Sequence, residues 1–365
     1  MGAAAQLLGG VTAPHRVVHF GTGFAGVHAL RAIIQRPDLE LAGLVVHSDA
    51  KAGRDAGDLC GLAPTGIFAI QDIEEAIALD ADVFSYMASS HGRLKVTVGE
   101  LCRILESGMN VVTTSVGALI HPRTARPDVL ARLEESGRLG GTTLFSTGAD
   151  PGFFSDYLPV ILSGCSQRID SVRVYELAVY ESGHQSDEVA FDIFGFGNPM
   201  ESRPHIVDEA GLIGNWGGVV SSMAEQLGLE LDGIESSYEL LPSDEGFEFQ
   251  GRRIEAGTIA AMRFEIVGVV GGQPKVAVEH VTRTKADQAP EWARAKASDA
   301  YRIVIEGSPS VDCEVQFREG DDVPAGAFNI TAMRAINAIP LVCEAEPGVA
   351  SVFDLPPITG RGGVS

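Results

Sequence analysis

The run "HFGTGFAGVHALRAII" (residues 19–34) places Gly21, Gly23 and Gly26 at G-x-G-x-x-G spacing ahead of an apolar helical pattern. The chemistry this offers is capture of a dinucleotide pyrophosphate. In a chain with 43 glycines the spacing alone is weak, so its setting decides. Residues 16–20 read as a short buried strand, and Phe24, Val27, Leu30 and Ile34 recur at helical spacing. Strand, glycine turn and helix in that order are the context the fingerprint requires. Gly21 would allow the tight turn, Gly23 the approach of backbone to pyrophosphate, and Gly26 the close packing of helix on strand. With Thr22, Phe24 and Ala25 they form the expected cradle at a helix N-terminus, where unpaired N–H groups hold anions. A plain strand-to-helix turn is the alternative reading.

A nicotinamide dinucleotide brings hydride transfer, which asks the protein for orientation and for a group that protonates or polarises the acceptor. The expected proton donor is His184 in "YESGHQSDE", because imidazole titrates near neutral pH and its loop can face a cleft. Tyr180 and Glu181 beside it are alternatives. Asp150 is either a carboxylate of the site or the N-cap of a helix led by Pro151. His91 and His121 also fall on strand-end loops, where a surface or structural role competes. No spacing of His, Cys, Asp or Glu suggests a metal site.

The second strand runs out as Val45-Val46-His47-Ser48, without the acid that NAD sites carry about 20 residues past the glycines. His47 and Ser48, followed by Lys51 and Arg54, suit a 2′-phosphate. Asp49, turned inward, would serve NAD instead. NADP(H) is the expected cofactor, with NAD as the alternative. Met87, Ala88 and Ser89 after the fourth strand, and Thr113, Thr114 and Ser115 after the fifth, are expected to line it.

These residues need a scaffold of alternating strands and helices. Strand patterns at 16–20, 41–46, 67–69, 83–87, 110–114 and 142–146 enclose helical stretches such as 73–79, 94–106 and 127–135. Six strands with helical crossovers predict a doubly wound parallel sheet over residues 15–150, after a loose arm at 1–14. Beyond Pro151 the texture changes. Residues 171–180 read as a strand, 258–284 as a long hairpin around Gly271–Gly272, and 301–307 with 311–317 as a second pair around Ser308–Pro309. A helix over 216–227 interrupts them. The segment 151–328 is thus expected to be an α+β substrate and dimerisation domain with a mostly antiparallel sheet. A helix over 329–343 and the tail to 365 would return to the first domain.

Composition narrows the class. A hydrophobic share of 45% and a charged share of 21% over 365 residues fit a soluble protein of two domains. A net charge of −22 argues against nucleic acid as a partner. Five scattered cysteines without a C-x-x-C pair predict neither a disulfide framework nor zinc. No basic leader and no stretch of about 20 apolar residues stand out, so a cytoplasmic, non-membrane protein is expected.

The glycine loop, "KAGRDAGDLCG" (51–61), "ESGMNVVTT" (106–114) and "TGADPGFFSDYLP" (147–159) together resemble the dihydrodipicolinate reductase-like superfamily, nearest to 2,4-diaminopentanoate dehydrogenase and the native amine dehydrogenases. Those relatives carry G-V-N-P-G-F-x-x-D-x-L-P at the domain crossover, so Asp150 stands where they have Asn. "AMRAINAIPLV" (332–342) and "DLPPITGRG" (354–362) echo the family's closing helix and tail, whereas 180–250 matches poorly. The resemblance implies a Rossmann domain joined to an α+β domain, a homodimer, and an active site in the cleft between the domains. In the amine dehydrogenases a Glu follows the Thr-Thr pair of the fifth strand and manages ammonia and its protons. Here Val116 and Gly117 follow Thr113-Thr114-Ser115, and that acid is missing.

The expected function is therefore NAD(P)H-dependent reduction of a C=O or C=N group in a small, largely apolar substrate. The first alternative is an amine dehydrogenase using a replacement acid, one that could come from the second domain. The other is a non-catalytic NADP(H) sensor.

Overall fold

The computed structural model describes residues 13–182, 185–297, 299–320 and 323–363. In the first part of the chain short apolar runs alternate with amphipathic helices. They form β1 (His15–Phe20), α1 (Phe24–Gln35), β2 (Leu39–Val45), α2 (Ala56–Cys60), α3 (Ile73–Ile77), β3 (Val83–Tyr86), α4 (Leu94–Glu106), β4 (Asn110–Thr113), α5 (Pro127–Gly140) and β5 (Thr143–Ser146). β3 and β5 are buried along their whole length, as a parallel sheet covered on both faces demands. Local chemistry starts the helices. Asp55 and Asp72 accept N–H bonds from Gly57 and Glu74 at the heads of α2 and α3, and Pro127 opens α5. Residues 67–69, expected as a strand, make only isolated bridges, and Phe68 lies 60% exposed with no face to bury.

α6 (Tyr157–Ser163) leads into a second layer. It comprises β6 (Arg168–Val179), α7 (Glu209–Gln226), β7 (Gly233–Pro242), the small ribbon β8 (Phe247–Phe249) and β9 (Arg252–Ile254), β10 (Ile259–Val270), β11 (Gln273–Arg283), β12 (Ala300–Ser308) and β13 (Val311–Val315). The second sheet runs β13-β12-β6-β11-β10-β7 and is antiparallel except for the parallel β6–β11 pair. Gly271 and Gly272, both at positive φ, make the hairpin turn between β10 and β11. α7 covers one face, and Val219, Val220, Met223, Phe264, Ile266 and Val278 share its core.

The last segment forms α8 (Val323–Ile336), α9 (Ile339–Cys343) and β14 (Gly348–Ala350). The single helix expected over 329–343 is thus two, parted at Asn337–Ala338, with Pro340 in the first turn of the second. α8 lies along α1, and β14 adds in parallel beside β5. The six-stranded parallel sheet is therefore β14-β5-β4-β3-β1-β2, its sixth strand supplied by the far end of the chain. Contrary to the expectation that no apolar stretch reaches this length, Ala325–Cys343 has the length and mean hydropathy of a membrane span, 19 residues at 1.2. In this fold it is a core element, with Ala332, Ala335, Ile336, Ile339 and Val342 wholly buried against the sheet.

Candidate active site

The glycine loop is shaped by contacts that each glycine permits. Gly21 has φ +108°, and a Cβ there would stand 2.9 Å from the Met87 carbonyl group. A Cβ on Gly26 would come within 2.3 Å of the Gly21 carbonyl oxygen, so α1 can close on the turn only with glycine at this position. Around Gly23, by contrast, the space is open. Gly23 also caps α1 without a side-chain bond, and no acid stands in the helix's first turn. An open approach to a helix N-terminus lacking negative charge fits a pyrophosphate. Beneath the loop, wholly buried His19 contacts the Gly26 carbonyl at 3.0 Å and the Ser85 hydroxyl at 3.1 Å. Burial outweighs these bonds and lowers its pKa to about 4, so a neutral ring supports the loop.

The other expected cofactor residues gather at the carboxyl ends of the same strands. Met87 and Ala88 touch Gly21, while Ser89 is exposed at the start of the next loop. The Thr113 and Ser115 hydroxyls donate to the Tyr86 carbonyl at 2.8 and 3.2 Å, and half-buried Thr114 lies between them. Lys51 reaches across to the glycine loop, where Nζ donates to the carbonyl and the hydroxyl of Thr22, both at 2.9 Å. His47 and Ser48 are exposed at the tip of β2, with His47 edge-on to Phe20. Asp49 is held by the Gln71 amide at 2.9 Å. Arg54 is exposed, and its guanidinium makes no hydrogen bond or ion pair among the described residues.

Between the second sheet and α8 lies a cavity of about 200 Å³, walled by Tyr180, Phe194, Trp216, Tyr301, Phe317 and Phe328. Among the described residues its charged lining consists of Asp150, Glu176, His280 and Asp299, with no Lys or Arg. Register builds this wall. Across β10, β11, β6 and β12, Phe264 faces His280, His280 faces Glu176, and Glu176 faces Tyr301. His280 stacks on Phe264 at 4.6 Å between ring centres. Its Nδ1 is 3.6 Å from Glu176, whose other oxygen accepts the Tyr301 hydroxyl at 2.9 Å. Nε2 is 2.6 Å from Oδ2 of Asp150, the same oxygen that accepts the Trp216 indole N–H at 3.1 Å. The Oδ1 atom of Asp150 is buried and, like Nε2 of His280, meets no hydrogen-bond partner of good geometry among the described residues.

Burial opposes charge on His280, but the carboxylates of Glu176 and Asp150 outweigh it and hold the imidazolium pKa up at about 10. Burial likewise pushes the Asp150 carboxyl up, yet the His280 charge, aided by Ser155 and Trp216, leaves it below the ordinary carboxylate value. The site therefore carries a protonated imidazole between two carboxylates. These three side chains bring ligand atoms within 4.8 Å of one another. Both ring nitrogens already face carboxylates, so a metal would have to break the ion pair first.

Several expectations are corrected here. Asp150 is not a helix N-cap, because residues 149–153 form an irregular turn and α6 begins only at Tyr157. The cap is Asp156, whose carboxylate accepts the Tyr157 N–H and whose pKa burial raises to about 7. Glu181 is no cleft residue. The short turn after β6 swings it to the surface, where it accepts the Ala286 N–H at 3.3 Å. Tyr180 does line the cavity, and burial drives its hydroxyl pKa well up. His184 lies outside the described residues.

Glu176, His280, Trp216 and Tyr301 are not among the residues that the sequence pattern singles out. Glu176 and His280 each interrupt the inward-facing apolar row of a strand, Val172, Val174 and Ala178 on β6 and Val276 and Val278 on β11. That irregularity is their one local sign.

A two-sheet dehydrogenase with a dinucleotide loop and a proton-bearing cavity at the junction is what fold and site define. Residues 153–362 match the family model of the 2,4-diaminopentanoate dehydrogenase C-terminal domain. The chain is 37% identical over 355 residues to an amine dehydrogenase of Streptomyces virginiae, covering 94% of this chain and 97% of that one. It is 24% identical over 259 residues to the 2,4-diaminopentanoate dehydrogenase of Acetoanaerobium sticklandii, covering 69% and 68%. The solved amine dehydrogenase of Mycobacterium smegmatis superposes with a TM-score of 0.77 at 22% identity, over 95% of this chain and 98% of that one. The chain belongs to the family of 2,4-diaminopentanoate dehydrogenase and the amine dehydrogenases, and it is an NAD(P)-dependent oxidoreductase.

Proposed function

We propose that this protein is an NADP(H)-preferring amine dehydrogenase in which Asp150 takes the place of the missing family carboxylate. The observation that carries the reading is the buried Oδ1 of Asp150, unpartnered in the wall of an aromatic cavity. A buried carboxylate oxygen without a donor is costly unless a ligand supplies one, and ammonia or an amine supplies it. Position supports the substitution. A Cβ on Gly117 would lie 3.5 Å from the Pro151 ring, so an acid placed there would be next to Asp150. The two positions serve one region of the cleft.

The nicotinamide, when bound, gives or takes a hydride. For the reductive direction the balance is ketone plus ammonium plus hydride yielding amine plus water. Asp150 holds the nitrogen through Oδ1. Trp216 and His280 fix the carboxylate through Oδ2, leaving Oδ1 as the atom that meets the substrate. Loss of water from the carbonyl carbon needs a proton, and the His280 imidazolium holds one in the same wall. Glu176 and Tyr301 behind it keep that imidazole oriented. The aromatic walls exclude bulk water, which strengthens each of these contacts. The lining cation, His280, is already matched by Asp150 and Glu176, and the described lining holds no Lys or Arg, so a substrate carboxylate would find no free cation and the substrate is a small amine or ketone without one.

The test is NADPH and NADH oxidation against aldehydes, ketones and cyclic imines, with and without excess ammonium. Turnover that requires ammonium supports the reading. Ammonium-independent turnover would replace it with carbonyl or imine reduction.

The NADP preference draws on Lys51, anchored on Thr22 of the glycine loop. Lys51→Ala is expected to cut the NADPH-to-NADH ratio of kcat/KM by about ten-fold, the worth of one charge-assisted bond. An unchanged ratio would remove Lys51 from cofactor choice.

A further inference from the structure

The walls of the cavity are not held alike. Trp216 is tied to Asp150 and rests on Phe264 at 5.1 Å. Tyr301 is tied to Glu176 and stacks on buried Phe154 at 4.1 Å, with Phe317 at 5.6 Å on the same group. Those sides are backed by core. The side made by α8 is different. Ala327, Phe328 and Thr331 share one helix face towards the cavity. The ring of Phe328 stacks at 4.8 Å and 21° on Phe24, which is itself 50% exposed. Behind Phe328 there is one more ring and then solvent.

Phe24 is also the first residue of α1, directly after Gly23, where the loop lies open to a pyrophosphate. We infer that Phe328, propped by Phe24 of the glycine loop, sets the upper size of the substrate, so that cofactor site and substrate site share one wall. Removing the Phe328 ring frees roughly the 150 Å³ that holds a benzene molecule, in a cavity of about 200 Å³. Tyr180, Phe194, Trp216 and Tyr301, by contrast, are each buried. The inference rests on the amine dehydrogenase reading for the choice of substrate series.

The experiment uses the full chain and a series of 2-alkanones of increasing length, reduced by NADPH in excess ammonium. In the wild type, kcat/KM rises roughly four-fold per added methylene until the cavity is full, then falls. Phe328→Ala moves the maximum to a longer ketone and raises the long-to-short ratio by about ten-fold or more. Phe328→Leu moves it part of the way and serves if the alanine variant does not fold. Phe24→Ala shifts the maximum in the same direction by less, and that shift vanishes in the Phe328→Ala background, because stacked partners do not act additively. A maximum unmoved by both Phe328 substitutions, or additive effects of the two positions, overturns the inference. Thermal-shift binding of n-alkylamines in the presence of NADP reads the same size limit without turnover. A wild type that binds the short amines yet ignores ammonium would overturn the proposed reaction and leave the size limit standing.

Discussion

Asp150→Asn is expected to lower ammonium-dependent kcat/KM by about 1,000-fold, within the range that a positioned acid–base group contributes. The amide keeps the size of the side chain and its bond from Trp216, but it loses the charge. Nitrogen is then held by a neutral carbonyl oxygen or faces an amide N–H that repels it. The loss should be concentrated in the KM for ammonium and in the imine-forming step. Dinucleotide affinity, set at the glycine loop, should stay where it was. Reduction of a preformed cyclic imine should suffer much less than reductive amination, since its nitrogen is already in place. Steady-state rates on both substrate types, with dinucleotide titration as the control, separate these effects. Equal losses on both substrates would mean that Asp150 only holds the fold together, and retained activity would end its role altogether.

His280→Gln is expected to destabilise the protein by about 3–5 kcal/mol at neutral pH, because it strands two carboxylates in the interior. The change should be worth roughly 10 °C in Tm. Its pH dependence is the sharper test. The folded pKa of His280 lies at about 10, above the ordinary 6.5. Its contribution is therefore complete below pH 6.5 and is lost as pH rises through about 10. Asp150 is shifted the other way, so its contribution is present above the ordinary 3.8 and is lost as pH falls through the depressed value. Wild-type Tm should thus hold from mildly acid to neutral pH and decline on the alkaline side. In His280→Gln that alkaline decline should flatten, and acid should partly restore stability by protonating one of the two stranded carboxyls. Calorimetry across pH checks both limbs. Parallel profiles for the two proteins would show that His280 carries no buried charge.

Much of the first sheet is legible in the sequence because its information is local. The periodicity of Phe24, Val27, Leu30 and Ile34, and the order strand–glycine–helix, are properties of neighbours in the chain. α4 falls at 94–106 as its pattern predicts. The Gly271–Gly272 turn likewise announces its hairpin, because two adjacent glycines suit the positive φ values the turn needs. The centre of the site is not local. His280 and Glu176 become neighbours only through the parallel pairing of β11 with β6, and Asp150 joins them from the crossover. No spacing in the sequence encodes that register. Loops are where strands usually deliver function, which is why proton chemistry is sought in the sequence at His184 and Glu181. The proposed function draws instead on Glu176 and His280 within the strands. Asp150 is a sequence candidate that the structure places in the cavity wall, and the helix-capping role open to it falls to Asp156, six residues on.

The strand that completes the cofactor sheet is also the last one made. The Thr143 hydroxyl bonds to the Glu346 carbonyl across 203 residues, and β5 keeps an open edge until β14 arrives. At ribosomal speeds of 5–20 residues per second, about 10–40 s pass between their syntheses. For that interval the nascent chain holds five parallel strands with an unpaired rim at β5, whose Leu144 and Phe145 are fully buried in the finished sheet, the kind of edge that recruits other chains. The cofactor half therefore cannot mature on its own as it leaves the ribosome. It must wait for the second sheet and α8 to be translated, so chaperone demand during synthesis should fall on the N-terminal part of the chain, and truncations that remove β14 should aggregate instead of merely losing a tail.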